Sequence, residues 1–194
     1  MKERLFMGTI AAAMLTLGVF ASADDRGRND FDARLIGGEE TPLSISTTGH
    51  GRLDLHIDTS SEAIEYRLSY DGLQGVAPTV PGGVVLFAHI HFGQRRTTGG
   101  VSAFLCGGGS KGACPTPSGT VHGTIVPADI VGPSGQGIEA GQFDELVRAI
   151  RTGYAYANVH TTKYQSGEIR GQIRNDNRDD DDHGQGGDDH HHVH

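Results

Sequence analysis

Three histidines in two short strand-like segments are the residues whose types and spacing most favour chemistry. His89 and His91 lie in the segment 88–93 (AHIHFG), and His160 lies later, in the segment 158–161 (NVHT). A β-strand sends alternate side chains to opposite faces, so His89 and His91 share a face. Neutral imidazole is a good ligand for copper, zinc, nickel or iron, whereas magnesium and calcium prefer oxygen ligands. The spacing therefore predicts a three-histidine transition-metal site.

Apolar residues alternate with these histidines, as they do in strands that have one face in a core. If the two strands are neighbours and share these faces, the three imidazoles converge. Asn158 and Thr161 are then candidates for hydrogen bonds that orient the rings. His122, in the segment 119–123 (GTVHG), is a possible fourth ligand. The alternative is that the histidines bond to backbone carbonyls and only join strands together.

The elements that must position these residues form an all-β pattern. From about Ala33 to Arg174, short apolar-periodic runs alternate with clusters of Gly, Pro, Ser and Asp. Apolar residues at helical spacing after Phe143, with Gly153 as a stop, predict one short helix. The pattern predicts a single antiparallel β-sandwich or barrel domain over 33–174. We expect its strands at 33–37, 51–58, 63–70, 84–92, 101–105, 120–126, 154–160 and 168–173.

The two ends of the chain differ in composition from this domain. Residues 1–23 have a basic start, an apolar run and an A-x-A site, which predicts a signal peptide and a secreted or periplasmic protein. The charged segment 24–32 is predicted to be a flexible arm. The Asp/His-rich segment 175–194 is predicted to be a disordered tail, either an auxiliary source of metal ligands or merely solubilising. Its histidines are His183, His190, His191, His192 and His194.

The charge of the chain limits its partners. The formal net charge is −8 at pH 7, which disfavours nucleic acid and anionic lipid and favours cationic partners such as metal ions. Beyond the signal peptide no apolar run approaches the roughly 20 residues that span a bilayer, so we expect no membrane span.

The two cysteines, Cys106 and Cys114, flank a glycine-rich stretch. In an oxidising compartment we expect them to form a disulfide that closes a small loop. Two unpaired thiols are the alternative. Catalytic redox use is disfavoured, because the spacing is far from C-x-x-C.

Five segments occur in an order that resembles a CHRD domain, the module named from chordin. The resemblance covers roughly residues 33–174, and it implies an extracellular β-sandwich module whose biochemical activity is poorly defined across the family. The segments are 88–93, 105–106, 143–153, 158–161 and 167–173 (GEIRGQI).

A second resemblance is to copper/zinc superoxide dismutase, over the segments 64–73, 89–93, 159–160 and 171–173. It implies a Greek-key β-sandwich or barrel and copper bound by His89, His91 and His160. The chain departs from that enzyme between His91 and His160, where it has no His/Asp-rich zinc loop, no clear bridging histidine apart from His122, and no matching arginine. Similarity of fold would not by itself transfer the activity.

Three functional hypotheses follow. The first is a secreted CHRD-type protein that binds a transition metal through the three histidines, with copper favoured over zinc. The second is a copper-dependent redox enzyme that resembles a zinc-free superoxide dismutase. The third is a metal-free module that contacts an extracellular protein partner. The chain has no recognisable nucleophile–base pair and no phosphate-binding loop, which disfavours hydrolase and nucleotide-binding functions.

Overall fold

Alternating apolar and polar residues form nine strands in a computed structural model that describes residues 29–175. The strands are β1 (Asp30–Ile36), β2 (His50–Asp58), β3 (Ala63–Asp71), β4 (Val85–Phe92), β5 (Val101–Cys106), β6 (Gly119–Ile125), β7 (Ala155–Thr161), β8 (Ile169–Gln172) and β9 (Arg174–Asn175). One α-helix, α1 (Phe143–Arg151), precedes β7. No helix within the described range is both long and apolar enough to cross a membrane.

The strands form one antiparallel sheet in the order β5-β4-β7-β8-β1-β2-β3-β6, and β9 also pairs with β1. The two ends of this order, β5 and β6, contact each other. The Tyr66 hydroxyl on β3, next to β6, also donates a hydrogen bond to the carbonyl oxygen of Leu105 on β5 (2.7 Å). The sheet therefore curls into a nearly closed barrel. The predicted all-β fold with a single helix is confirmed.

Period-two alternation places one face of the sheet in the core. On β2 the side chains of Leu53, Leu55 and Ile57 are buried, whereas His56 between them is exposed. The pairing of β2 with β1 on one side and β3 on the other extends the same alternation across the sheet. Because a shift of one residue would turn the apolar set to solvent, this pattern also fixes the register.

The sheet begins and ends slightly outside the predicted domain. Residues 30–32, which were predicted to lie in a flexible arm, belong to β1 instead, because Phe31 packs into the core and pairs with Leu55. Asn175, predicted as the first tail residue, pairs with Phe31. The predicted signal peptide, residues 24–28 of the arm and the tail after Asn175 lie outside the described residues.

The predicted helix is confirmed as α1. Its apolar stripe, which includes Phe143, Leu146 and Ile150, is buried, and acidic residues occupy its first turn. Gly153 follows the helix with φ of 76°, the left-handed conformation that commonly ends a helix. The next residue then donates from its backbone to the carbonyl of Ala149 (2.8 Å), and the chain enters β7. The helix end therefore sets the start of the strand that carries His160.

Candidate metal centre

The two histidine-bearing strands are neighbours in the sheet. In the antiparallel pairing of β4 with β7, Phe87 lies opposite His160, and His89 lies opposite Asn158. Residues directly opposite each other point to the same face of a sheet. The two segments therefore present His89, His91 and His160 on one face, while the other face of β4 sends Ala88 and Ile90 into the core.

The three imidazoles are close enough to share an ion. One ring nitrogen from each of His89, His91 and His160 lies within 4.8 Å of the others. The ring centroids are 4.5 Å apart for His89 and His160, and 4.6 Å apart for His89 and His91. An ion about 2.0–2.1 Å from each nitrogen would hold the nitrogens about 3.4 Å apart, so the rings must move inward by up to about 1 Å. In the described part of the chain, no other group of three histidine, cysteine or carboxylate side chains brings its ligand atoms this close together.

Backbone carbonyls orient two of the rings. The Nδ1 atom of His91 lies 2.9 Å from the carbonyl oxygen of Gly99, and the Nδ1 atom of His160 lies 2.8 Å from that of Gln165. A carbonyl oxygen only accepts, so each Nδ1 must carry the proton and donate. In a neutral ring the lone pair is then on Nε2. Both Nε2 atoms are buried and have no hydrogen-bonding partner among residues 29–175.

The third ring, that of His89, is held by aromatic packing. Phe87 stacks on it with a centroid separation of 5.2 Å, and Phe104 meets it edge-on at 5.1 Å. Phe87 also packs against His160, at 5.0 Å. The Nδ1 atom of His89 is buried and, within the described residues, lacks a hydrogen-bonding partner. Each of the three histidines therefore offers a buried nitrogen with no partner.

Burial keeps these imidazoles neutral. Desolvation, followed by the neighbouring imidazoles of His160 and His91, lowers the pKa of His89 to about 2. Desolvation lowers the pKa of His91 to about 4, although the hydrogen bond to Gly99 opposes the shift. Burial also lowers the pKa of His160, against its bond to Gln165. The ring nitrogens that carry no proton are therefore available as ligands at neutral pH.

The His91 ring is the first member of a stack that continues with Tyr156 and Arg170. The Tyr156 ring on β7 is parallel to the His91 ring, with a centroid separation of 4.7 Å and an interplanar angle of 2°. The guanidinium of Arg170 on β8 lies 3.5 Å from the centroid of the same tyrosine ring. Because β4 and β8 flank β7 on opposite sides, Tyr156 lies between His91 and Arg170.

The predicted orienting residues contact other groups. The Asn158 amide points to Glu40, with Nδ2 3.4 Å from Oε2, and burial raises the pKa of the Glu40 carboxyl to about 7. Thr161 donates to Glu168. These two hydrogen bonds go to carboxyl groups and not to a histidine ring. The carbonyls of residues 99 and 165 bond to the rings of His91 and His160, and a sequence carries no mark of such carbonyls because every residue has one.

Glu168 is a buried residue whose role the sequence did not reveal. Its side chain accepts hydrogen bonds from Thr47 (2.7 Å) and Thr161 (2.8 Å) and from the backbone N–H groups of Gln74 (2.5 Å) and Gly75 (2.9 Å). This carboxylate joins the loops after β1 and β3 to the end of β7. It fixes the segment that follows His160.

The remaining predicted residues lie away from the three histidines. His122 is on β6 opposite Arg67, and the structure does not bring it to the other three. The predicted disulfide between Cys106 and Cys114 is confirmed. The five tail histidines lie outside the described residues.

Comparison with known proteins identifies the family. A family model described as the CHRD domain matches residues 31–173, which is most of the chain. Among curated proteins and solved structures, none matches the chain significantly. The matched range includes β1 apart from its first residue, all of β2 to β8, and all three clustered histidines, whereas β9 lies just beyond it. The chain therefore belongs to the CHRD-domain family.

Proposed function

We propose that this CHRD-domain protein binds a transition-metal ion, copper in preference to zinc, through His89, His91 and His160. The observation that carries the proposal is that the three rings converge, while each has a buried nitrogen without a hydrogen-bonding partner in the described part of the chain. Most buried polar atoms in proteins have a partner, and each exception needs an explanation. A bound ion supplies that explanation for all three rings at once.

The donor set supports copper over other ions. Three neutral imidazoles without a carboxylate suit copper, zinc, nickel and iron, and among divalent ions copper binds such nitrogen sites most tightly. A set of three protein ligands leaves room for a water molecule or another small ligand on the ion. The metal-free hypothesis, in which the histidines only join strands, would leave three buried nitrogens unpaired.

The protein would handle this ion outside the cytoplasm. A disulfide is present between Cys106 and Cys114, and disulfides persist in oxidising compartments. The predicted signal peptide and the CHRD family agree with secretion or a periplasmic location. The function we propose is therefore extracytoplasmic metal binding or handling. Superoxide dismutation by the copper-loaded protein is a second hypothesis, which a superoxide-consumption assay tests directly.

Electron paramagnetic resonance of the copper(II)-loaded protein tests this proposal. In the full chain with its five tail histidines replaced by asparagine, we expect one copper per chain and hyperfine structure from coordinated imidazole nitrogens, and His91→Gln in this background should change that nitrogen pattern. His56→Gln is the matched control, because His56 is an exposed strand histidine that pairs with Asp30. An unchanged spectrum in His91→Gln, or the same change in His56→Gln, would contradict the assignment.

A further inference from the structure

We propose that Arg170, acting through Tyr156 on His91, makes the centre bind monovalent copper, Cu(I), in preference to divalent copper, Cu(II). The inference rests on the proposed copper binding and goes beyond it, because it names the form of the ion that the site selects. Arg170 and Tyr156 are positioning residues here, since neither supplies a ligand.

The first step is the location of the positive charge. The Arg170 side chain is buried, at 2 % exposure, and stacks 3.5 Å from the Tyr156 centroid. It donates to the Thr41 hydroxyl and to the carbonyl oxygen of Gln94 (3.1 Å), which are both uncharged. Among the ion pairs of residues 29–175, none includes Arg170. Burial lowers the pKa of Arg170, but the pKa of a guanidinium is ordinarily so far above neutrality that the group stays charged at pH 7.

The second step is the path from this charge to the ion. Tyr156 lies between Arg170 and His91, and its ring is parallel to the imidazole. The Tyr156 hydroxyl accepts a hydrogen bond from the Gly99 backbone N–H (3.1 Å), and the carbonyl of the same glycine accepts from His91 Nδ1 (2.9 Å). The tyrosine therefore holds the ring and the carbonyl that together orient His91. His91, Tyr156 and Arg170 are all buried, which limits the screening of the charge by solvent.

The third step is the energetic consequence. The guanidinium is 3.5 Å from the Tyr156 centroid, which is 4.7 Å from the His91 centroid, so an ion on His91 would lie roughly 10 Å from the charge. At an effective dielectric constant of about 20, a fixed positive charge at this distance disfavours each added unit of positive charge on the ion by roughly tenfold in affinity. The three neutral imidazoles add no negative charge to offset this effect. Two carboxyl groups interact with Arg170, and the first is Glu40, whose pKa burial raises to about 7, so that it is only partly ionised near neutral pH. The second is Glu39, whose interaction with Arg170 is weaker and which already forms an ion pair with Arg95. The net electrostatic effect at the site therefore favours Cu(I), the ion with the smaller charge, over Cu(II).

Affinity measurements for both forms of the ion test this inference. The dissociation constants for Cu(I) and Cu(II) are measured by competition with chromogenic chelators, anaerobically for Cu(I), on the full chain with its five tail histidines replaced by asparagine. We expect Arg170→Gln to shift the ratio of the two affinities about tenfold toward Cu(II). Arg170→Lys, which keeps the charge, should retain most of the preference. Arg67→Gln is the control, because Arg67 is an exposed arginine on β3, and it should leave the ratio unchanged.

The outcomes separate the two proposals. A ratio in Arg170→Gln that stays within twofold of the wild-type ratio would overturn the role of Arg170 while leaving copper binding intact. If Arg170→Gln does not fold, the affinities of the wild-type protein still test the inference. We expect the wild-type protein to bind Cu(I) at least about tenfold more tightly than Cu(II). Tighter binding of Cu(II) would overturn the inference. A wild-type protein that binds neither form would overturn the proposed copper site itself, and this inference with it.

Discussion

His89 on β4 and His160 on β7 lie with their ring centroids 4.5 Å apart, and the single side chain of Phe87 packs against both rings. The phenyl ring excludes water from one side of the imidazole pair, which contributes to the burial that keeps both rings neutral. The arrangement thus combines two properties of a nitrogen-donor site: proximity of the donors and the absence of competing protons.

The carbonyl oxygen of Gly99 should be needed to orient His91. A Cβ atom at this position would collide with the carbonyl oxygen of Phe92, so Gly99→Ala must displace the backbone that accepts the His91 proton. Loss of such an orienting partner typically lowers metal affinity by about 10–100-fold. We expect a loss in this range in a copper titration of Gly99→Ala.

Gly112→Ala is the matched control, because a Cβ atom there would meet nothing within 4 Å. Equal copper affinities in the two alanine variants would show that the Gly99 carbonyl does not orient a ligand.

Acidification should destabilise the metal-free protein through its buried histidines. Above pH of about 6.5 these rings are neutral in the folded and unfolded states and contribute no pH dependence. As the pH falls, the unfolded chain binds protons, whereas the lowered pKa values of His89 and His91 keep the folded rings neutral. The free energy of unfolding should therefore fall by up to about 1.4 kcal/mol per histidine for each pH unit below about 6.5.

Urea denaturation between pH 7.5 and 5.0 measures this dependence. His91→Gln removes one of the groups, so the slope of its free energy of unfolding against pH should correspond to the uptake of about one proton fewer. A slope identical to that of the wild-type protein would contradict the assignment of His91 as a buried neutral ring.

The disulfide should stabilise the fold without contributing to the metal centre. It joins Cys106 at the end of β5 to Cys114 across a sequence separation of 8. For a loop of this length the chain-entropy model gives about 2–3 kcal/mol. We expect the double variant Cys106→Ser/Cys114→Ser to lose this amount in urea denaturation and to retain one copper per chain. Loss of copper in a folded double variant would be the contrary result.

The Glu168 carboxylate should be essential to the loops around the end of β7. In Glu168→Gln an NH₂ group replaces one acceptor oxygen, so two donors face each other in a buried site. Such mismatches in buried networks cost about 2–4 kcal/mol. Glu65→Gln, on an exposed position of β3, should change stability by no more than about 0.5 kcal/mol. Similar unfolding midpoints for the two variants would contradict this role.

The sequence predicted the parts of this structure that depend on local pattern. Period-two alternation identified the strands that carry His89, His91 and His160, and helical periodicity identified α1. Which strands pair is a property of the whole chain, so the adjacency of β4 and β7 required the structure. The start of β1 was missed because two aspartates flank Phe31, and the charged composition concealed one buried aromatic residue.

Within the site, side-chain types predicted the ligand candidates but not their surroundings. The carbonyls that orient His91 and His160 have no sequence signature. Asn158 was predicted to contact a ring on the basis of its proximity in the chain, yet a loop distant in sequence brings Glu40 to its amide. Arg170 lies in a segment typical of the family, but its stacking on Tyr156 depends on the pairing of β7 with β8, which the sequence does not reveal.

The copper content of a tail-substituted protein tests the central claim most directly. All five tail histidines are replaced by asparagine in the full chain, and copper is measured after extensive dialysis, with and without His89→Ala or His160→Ala. We predict one copper per chain in the tail-substituted protein and a loss of at least tenfold in copper affinity in each alanine variant. Copper that disappears with the tail histidines alone and is unaffected by His89→Ala and His160→Ala would contradict the account.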